Sequence, residues 1–459
     1  MSHVNLGSQA EIADLVTKAK GLQQRILFVL FAFIIYRLGT HIPLPGVDAT
    51  VLAAYQGNLQ GGLLGMFNMF SGGAFARMAI FALNIVPYIT ASIIVQLLSS
   101  SIPSLKELKQ EGEIGRRKIN QYTRYLTVAL AMVQGFGLAS GIEGQTATIG
   151  GELVRLVPDG GLMFRLQTAL TITTGTMFLM WLGEQINTRG IGNGISLLIF
   201  AGIVAELPAS LLRLFELART GSVSGFMVLA FVVGAIAAVL FMVFMETAVR
   251  RIVMQYPKRG PGPMMAENNT NFLPLKLNMA GVIPPIFASA LLMAPITAAS
   301  YAPESAWAQF IGEWMAPGKL LYLVAFVGMI IFFTFFYVAT VTFNAQETAD
   351  NLKKSGAFIP GIRPGASTAA YLDSIVLRLT TIGALYLAFI CAVPDLLHRD
   401  GMLPVYIGGT SLLIIVSVTI DTVARIQSAL IAQKYESLLK KAGGAGGRGG
   451  LLVKGKGSR

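Results

Sequence analysis

Apolar runs and short charged segments alternate along almost the whole chain, and the runs have the length of membrane helices. A helix rises about 1.5 Å per residue, so roughly 20 apolar residues cross the hydrocarbon core of a bilayer. On that measure spans are expected near 26–42, 78–98, 125–140, 166–182, a fifth ending near Pro208, 227–245, a seventh opened by Pro284 and Pro285, 320–343, 375–393 and 405–420. Segment 9–20 suits a short amphipathic helix on the membrane surface. Trp307, Phe310, Ile311 and Trp314 fall at i, i+3, i+4 and i+7, which predicts a helix lying in an interface with one apolar face down.

One stretch departs from this regularity. Residues 61–100 read GGLLGMFNMFSGGAFARMAIFALNIVPYITASIIVQLLSS. The apolar part 63–70 is far too short to cross, and glycine pairs bracket it at Gly61-Gly62 and Gly72-Gly73. Glycine reaches backbone angles closed to other residues, so each pair is a hinge. The span that follows carries Asn84, Pro87, Ser92 and Gln96. Irregular backbone at membrane depth survives only where protein or a water-filled cavity shelters it. The segment is either a re-entrant element with a function or a helix that simply packs. Pro284-Pro285 is expected to kink or break the seventh helix, because proline removes ladder donors.

Composition agrees with the pattern. Of 459 residues, 54% are hydrophobic and only 13% charged, and the mean hydropathy is +0.64. A soluble domain is about 25% charged, so a single soluble core is excluded. The net charge is +12. In a membrane protein that charge first means orientation and anionic headgroups, and the only nucleic acid it suggests is ribosomal RNA. Arg155, Arg165, Arg213, Arg219, Lys319 and Arg399 fall in or beside expected outer loops, and Arg37 and Arg77 near outer helix ends; the other Lys and Arg gather in inner loops and tails. That bias predicts ten spans with both ends cytoplasmic and with 106–118, 247–278 and 344–372 on the inner side. Arg37, inside the first span, is expected to reach for the outer interface. The N-terminus is polar and lacks the apolar core of a cleavable signal, so the first span is expected to be its own targeting signal. The glycine-rich basic end, 443–459, reads as a disordered tail.

The chemistry narrows the function. His3, His41 and His398 are scattered and Cys391 is the lone cysteine, so neither a metal cluster nor an intrachain disulfide is expected. No nucleotide motif, HExxH or supported GxSxG is visible, so neither an enzyme nor a cofactor is expected. Ion-coupled transporters usually need ionisable groups at the midplane. Here Glu184, Glu246 and Asp421 sit at helix ends. A wide channel needs instead an aliphatic waist, which sheds water when idle and offers no strong site to a crossing chain. A small-solute secondary transporter stays as the alternative.

Three stretches resemble the SecY family of protein-conducting channels: LNIVPYITASIIVQLL, WLGEQINTRGIGNGISLLIFAGIV and LPLKLNMAGVIPPIFASALL. The resemblance covers most of 20–440; the family usually has glycine where this chain has Asn84. It implies an all-α membrane protein whose ten transmembrane helices form two inverted five-helix halves, closing like a clamshell. The halves would be 1–217 and 218–442, with a short half-inserted plug helix within 62–72 that includes Leu63, Leu64, Met66, Phe67, Met69 and Phe70. It implies a pore ring of Ile85, Ile89, Ile195, Ile199, Ile286 and Ile414, all isoleucine. It implies a lateral gate between the second and seventh spans with Pro87, Ser92, Gln96, Pro284 and Pro285. It further implies passage of unfolded secretory polypeptides across the bacterial cytoplasmic membrane and sideways release of transmembrane segments into lipid. The implied partners are the small membrane subunits SecE and SecG, the SecA motor ATPase, the ribosome, signal peptides, nascent polypeptides and membrane lipid, with no DNA. Docking would use Arg259, Lys353, Lys354 and Arg363 on the two long inner loops. KRGPGPMMAENNTN in the first of these is less basic than the family's usual wording.

Overall fold

The structure is a computed structural model that describes residues 20–48, 51–52, 68–69, 71–149, 152–221, 224–255, 270–300, 305–315, 319–399 and 408–445. Thirteen helices follow one another: α1 (Lys20–Gly39), α2 (Val86–Ser101), α3 (Pro103–Gln110), α4 (Glu113–Glu143), α5 (Leu162–Arg189), α6 (Gly194–Arg219), α7 (Gly225–Thr247), α8 (Ile283–Ser300), α9 (Ala306–Trp314), α10 (Leu320–Tyr337), α11 (Ala345–Lys354), α12 (Ala366–Arg399) and α13 (Gly409–Ala445). Ten of them occupy the expected spans: α1, α2, α4, α5, α6, α7, α8, α10, α12 and α13. Among the described residues, seven helices pass by length and hydropathy alone, and α2 with α3 makes an eighth if the sharp bend at Ile102 is counted within one span. α5 is long enough but rich in threonine and charged at its inner end, and the apolar part of α8 is short.

The packing order gives two halves. In the first, α4 packs on α5 and α2, and α6 on α5; in the second, α10 packs on α8 and α12, and α13 on α7 and α12. The halves meet along two seams. On one side α8 lies against α2 and α4; on the other α13 lies against α1 and α6, with α7 also on α6. One large apolar core spans both halves, from Tyr36, Phe81 and Leu198 to Phe287, Phe326 and Leu413. Outward faces are also apolar: Leu27, Phe31 and Ile34 of α1, and Phe226, Leu229, Val233, Ile236 and Leu240 of α7, are exposed. That suits a lipid surround, where exposed apolar groups cost nothing.

Several expected boundaries change. The second span was expected to be helical from Met78, but residues 71–85 are a chain of buried turns and the helix starts at Val86. Met78 (φ 44°) and Asn84 (φ 48°) adopt left-handed angles that end any helix, and Met78 and Ile80 bond instead to Leu44 and Ile42. The left-handed angle at Asn84 also explains a glycine there; asparagine is the side chain that tolerates it best after glycine. Pro284 and Pro285 do not kink the seventh helix. They are the second and third residues of α8, where a missing N–H costs nothing; the interior proline is Pro295. α6 runs past Pro208 to Arg219, so the expected outer loop at 209–224 is mostly helix and the boundary at 217 falls within it. The eighth span ends in a π-helical turn, Val338–Thr342. The turn between α5 and α6 is as tight as its glycines predict: Asn187 Oδ1 accepts the Gly194 N–H at 2.7 Å, Asn193 caps α6, and a side chain at Gly194 would strike the Gly183 carbonyl. The interface helix appears as α9, with Trp307, Phe310 and Trp314 exposed.

The described parts of the two long loops are structured. Strands β3 (Val249–Gln255) and β4 (Thr270–Lys276) pair antiparallel over all seven residues. Gln255 and Phe358 exchange two backbone hydrogen bonds of 2.9 Å, tying this hairpin to the second loop. A second hairpin pairs β1 (Thr146–Ile149) with β2 (Glu152–Arg155). Segments 9–19 and 446–459 lie outside the described residues.

Candidate pore and lateral gate

The six ring isoleucines belong to one apolar core. Ile85, Ile89, Ile199 and Ile414 are buried in it, and Ile195 and Ile286 are half-buried against it. Four of them, Ile85, Ile89, Ile199 and Ile286, line a cavity of about 20 Å³ together with Asn84, Val86, Ser289 and Ala290. The space is small and its wall is mostly aliphatic, which disfavours water there. Its lining comes from α2, α6 and α8, hence from both halves. Ile195 and Ile414 pack in the same core without lining this cavity.

α2 and α8, which both line this cavity, also pack against each other. Pro87 sits in the first turn of α2. Gln96 Nε2 donates to Ser92 Oγ at 3.3 Å, while Gln96 Oε1 is buried with no partner among the described residues. A buried carbonyl oxygen left unpaired is costly, so α2 carries a polar group that an incoming donor would relieve. Beside the seam Phe287 meets Phe333 and Tyr337 edge-on, at centroid distances of 5.9 and 6.3 Å.

Of the expected plug residues, Leu63, Leu64, Met66, Phe67 and Phe70 lie outside the described residues. Met69 is buried in the central core, and Ser411 of α13 donates to its sulfur at 3.4 Å. The chain after it is held by its own polar groups: Asn68 Oδ1 accepts the Ala76 N–H at 2.9 Å, and Ser71 Oγ accepts that of Phe75 at 3.0 Å. The sequence reading missed two members of this neighbourhood. Tyr36 donates to the Ser71 carbonyl at 3.1 Å, and Glu206 in the middle of α6 faces Arg77. Glu206 was legible as a lone carboxylate in an apolar span, the kind of residue that is rarely idle in a membrane. Arg37 was expected to reach for the interface; its guanidinium instead donates to the Gly72 carbonyl at 2.9 Å.

On the second long loop, Lys353 and Lys354 end α11 and are exposed. Their charges also suit the negative end of a helix dipole. Arg363 is exposed in a turn bounded by Gly361 (φ 81°) and Gly365 (φ 109°). Thr368 Oγ1 donates to its backbone carbonyl at 2.9 Å, and its guanidinium has no hydrogen bond or ion pair among the described residues. The loop therefore fixes the backbone and leaves the side chain available. Arg259 lies outside the described residues. Among those residues no group of His, Cys, Asp and Glu is arranged to hold a metal.

Ten spans in two halves around an aliphatic constriction, with buried irregular backbone beside it, define a membrane channel rather than a soluble or single-span protein. The SecY family model matches residues 79–423. The protein translocase subunit SecY of Escherichia coli strain K12 is 50% identical over 424 residues, covering 92% of this chain and 94% of that one. A solved protein-conducting channel superposes with a TM-score of 0.64 at 16% identity, covering 89% of this chain and 92% of that one. Sec61 in a canine ribosome–channel complex superposes at 0.60, with the same identity and coverage. The chain belongs to the SecY family.

Proposed function

We infer that this protein is a protein-conducting channel, passing unfolded polypeptides across a membrane and releasing apolar segments sideways into lipid. The observation that carries the reading is the waist: a cavity of about 20 Å³ walled by Ile85, Ile89, Ile199 and Ile286 where the two halves meet. Such a waist holds back ions by staying dry, yet aliphatic side chains yield to a chain of any sequence. Ile195 and Ile414 complete the ring in this reading. The α2–α8 seam beside it supplies the lateral exit, with Pro87, Ser92, Gln96, Pro284 and Pro285 along it. An apolar segment of about 20 residues is more stable in lipid than in a wet pore, so a sideways opening sorts it without a recognition site.

Residues 62–72 are the plug in this reading, with Met69 as the member seated in the core. The channel sits in the bacterial cytoplasmic membrane with both termini inside. The halves divide near 217, and 443–459 is a basic tail. Energy comes from outside the chain. The joined inner loops, with Arg363 projecting from a rigid turn, support docking of the SecA motor and the ribosome; Arg259, Lys353 and Lys354 would add charge. SecE and SecG are the expected membrane subunits. Depletion of the protein from cells tests the function: uncleaved precursors of secreted proteins should accumulate. Normal export with the loss of one small solute would point to a secondary transporter instead.

A further inference from the structure

Two arginines and a tyrosine converge on two successive backbone carbonyls at the end of the expected plug. Tyr36 Oη donates to Ser71 O at 3.1 Å, Arg37 Nη1 to Gly72 O at 2.9 Å, and Arg77 Nη2 to the same Gly72 O at 2.6 Å. Arg77 is itself steadied by a bond from Nε to Thr40 O at 3.2 Å. Glu206 supplies the opposite charge: a point where a Gly73 side chain would begin lies 2.9 Å from its Oε2 and is also overrun by the Arg77 guanidinium. There is no slack in the arrangement. Gly72 (φ 64°) and Gly73 (φ 81°) are left-handed, and a side chain at Gly72 would come 2.9 Å from the Gly202 Cα of α6.

Buried arginines are costly in a membrane, and they normally pair with carboxylates or face water. Arg37 and Arg77 are half-buried, and both spend a charge-assisted bond on a carbonyl of the segment read as the plug. We propose that Arg37 and Arg77, countered by Glu206, form a latch that positions the plug by gripping the Gly72 carbonyl. The inference rests on the plug reading above. When the segment leaves, Glu206 stays behind to balance the two cations, so the emptied latch survives and can re-engage. Arg37 contributes a single donor, so lysine can replace it; Arg77 bridges Gly72 and Thr40, which only the guanidinium fork can do.

The latch predicts a leak that a covalent lock can cure. In full-length chain carrying Cys391→Ala, the pair Met69→Cys and Ser411→Cys places two thiols where the native side chains touch. Membrane vesicles holding equal amounts of each variant are tested for idle ion conductance and for ATP-driven preprotein import, reduced and oxidised. Arg37→Gln with Arg77→Gln should raise the idle conductance on the order of tenfold for each charge-assisted bond lost. Arg37→Lys should stay near the parent, and Arg77→Lys should fall between. Oxidation should return the leaking double variant to the parent value, because a bridged plug needs no latch. A parental conductance in the double glutamine variant would overturn the latch alone, as would a leak that survives complete bridging. Import that continues through the bridged, arginine-intact channel would overturn the plug reading and the latch with it.

Discussion

Gln96 gives the gate a quantity that can be measured. Its Oε1 is buried without a partner among the described residues, and its Nε2 has one bond of 3.3 Å to Ser92. An unpaired buried acceptor costs about 1–3 kcal/mol, while a neutral hydrogen bond contributes about 0.5–1.5 kcal/mol. Gln96→Met keeps the length and polarisability of the side chain and removes both groups. The closed seam should therefore gain about 1 kcal/mol net, which shifts the open-to-closed ratio roughly fivefold. Gln96→Glu acts in the opposite sense, because an unpaired carboxylate is harder to bury than an amide.

The assay is ATP-driven import of two preproteins that differ only in signal strength, into vesicles containing equal amounts of each variant. Weak-signal import should drop about fivefold in Gln96→Met, with the strong signal changed less, since a strong signal has binding energy to spare for opening. Gln96→Glu should raise weak-signal import and the idle leak together. Weak-signal import in Gln96→Met at or above the parent level would refute the reasoning, since it would mean that the buried acceptor does not bias the closed seam.

Three further outcomes follow from the same geometry. Ile286→Asn combined with Ile414→Asn should wet the waist, making the idle channel conduct ions and accept weak signals; planar-bilayer conductance at the parent level would count against both as pore residues. Arg363→Glu should leave the protein inserted and folded but stop ATP-driven import, with Arg363→Lys intermediate because the fork is lost and the charge kept; near-normal import by Arg363→Glu would reduce the loop to an orientation signal. After Cys391→Ala, single cysteines at Ser104, Ser305 and Ser355 should react with a membrane-impermeant thiol reagent from outside only at Ser305, and labelling of Ser355 would overturn the topology.

Most helices were readable in this sequence, because most of the spans announce themselves through length and apolarity, α5 and α8 being the exceptions. The misread stretches are those where tertiary partners decide. Residues 78–85 are as apolar as a helix, but Met78 and Ile80 bond to Leu44 and Ile42, and the left-handed angles at Met78 and Asn84 are set by that pairing. The grip on the Gly72 carbonyl joins residues 35 positions apart, beyond the reach of any local period. Glu206 was visible in the sequence as a mid-span carboxylate, against the expectation that the carboxylates sit at helix ends. The hairpin at 249–276 left a partial signal: Ile252 and Met254, two positions apart and flanked by Arg251 and Gln255, are the buried positions of β3. Arg363 was legible because proline and glycine state a rigid turn directly.

The prolines explain how a dry waist can be built at helix starts. α2 and α8 are the second helices of their halves, and each opens beside the cavity: Ile85 is the N-cap residue of α2, and Ile286 lies in the first turn of α8. A left-handed residue precedes each, Asn84 at φ 48° and Gly281 at φ 64°. Interrupted helices at corresponding places in two halves are a mark of the working site in membrane proteins. Yet a helix N-terminus normally presents free N–H groups and a positive dipole end, which attract anions and water. Those are the wrong properties for a seal. Pro87 removes one donor from the first turn of α2, and Pro284 with Pro285 removes two from that of α8. The Val86 N–H is already used by the Leu83 carbonyl, and Ile286 donates to Val282. The chain can thus start both α2 and α8 beside this cavity while leaving few free donors in it.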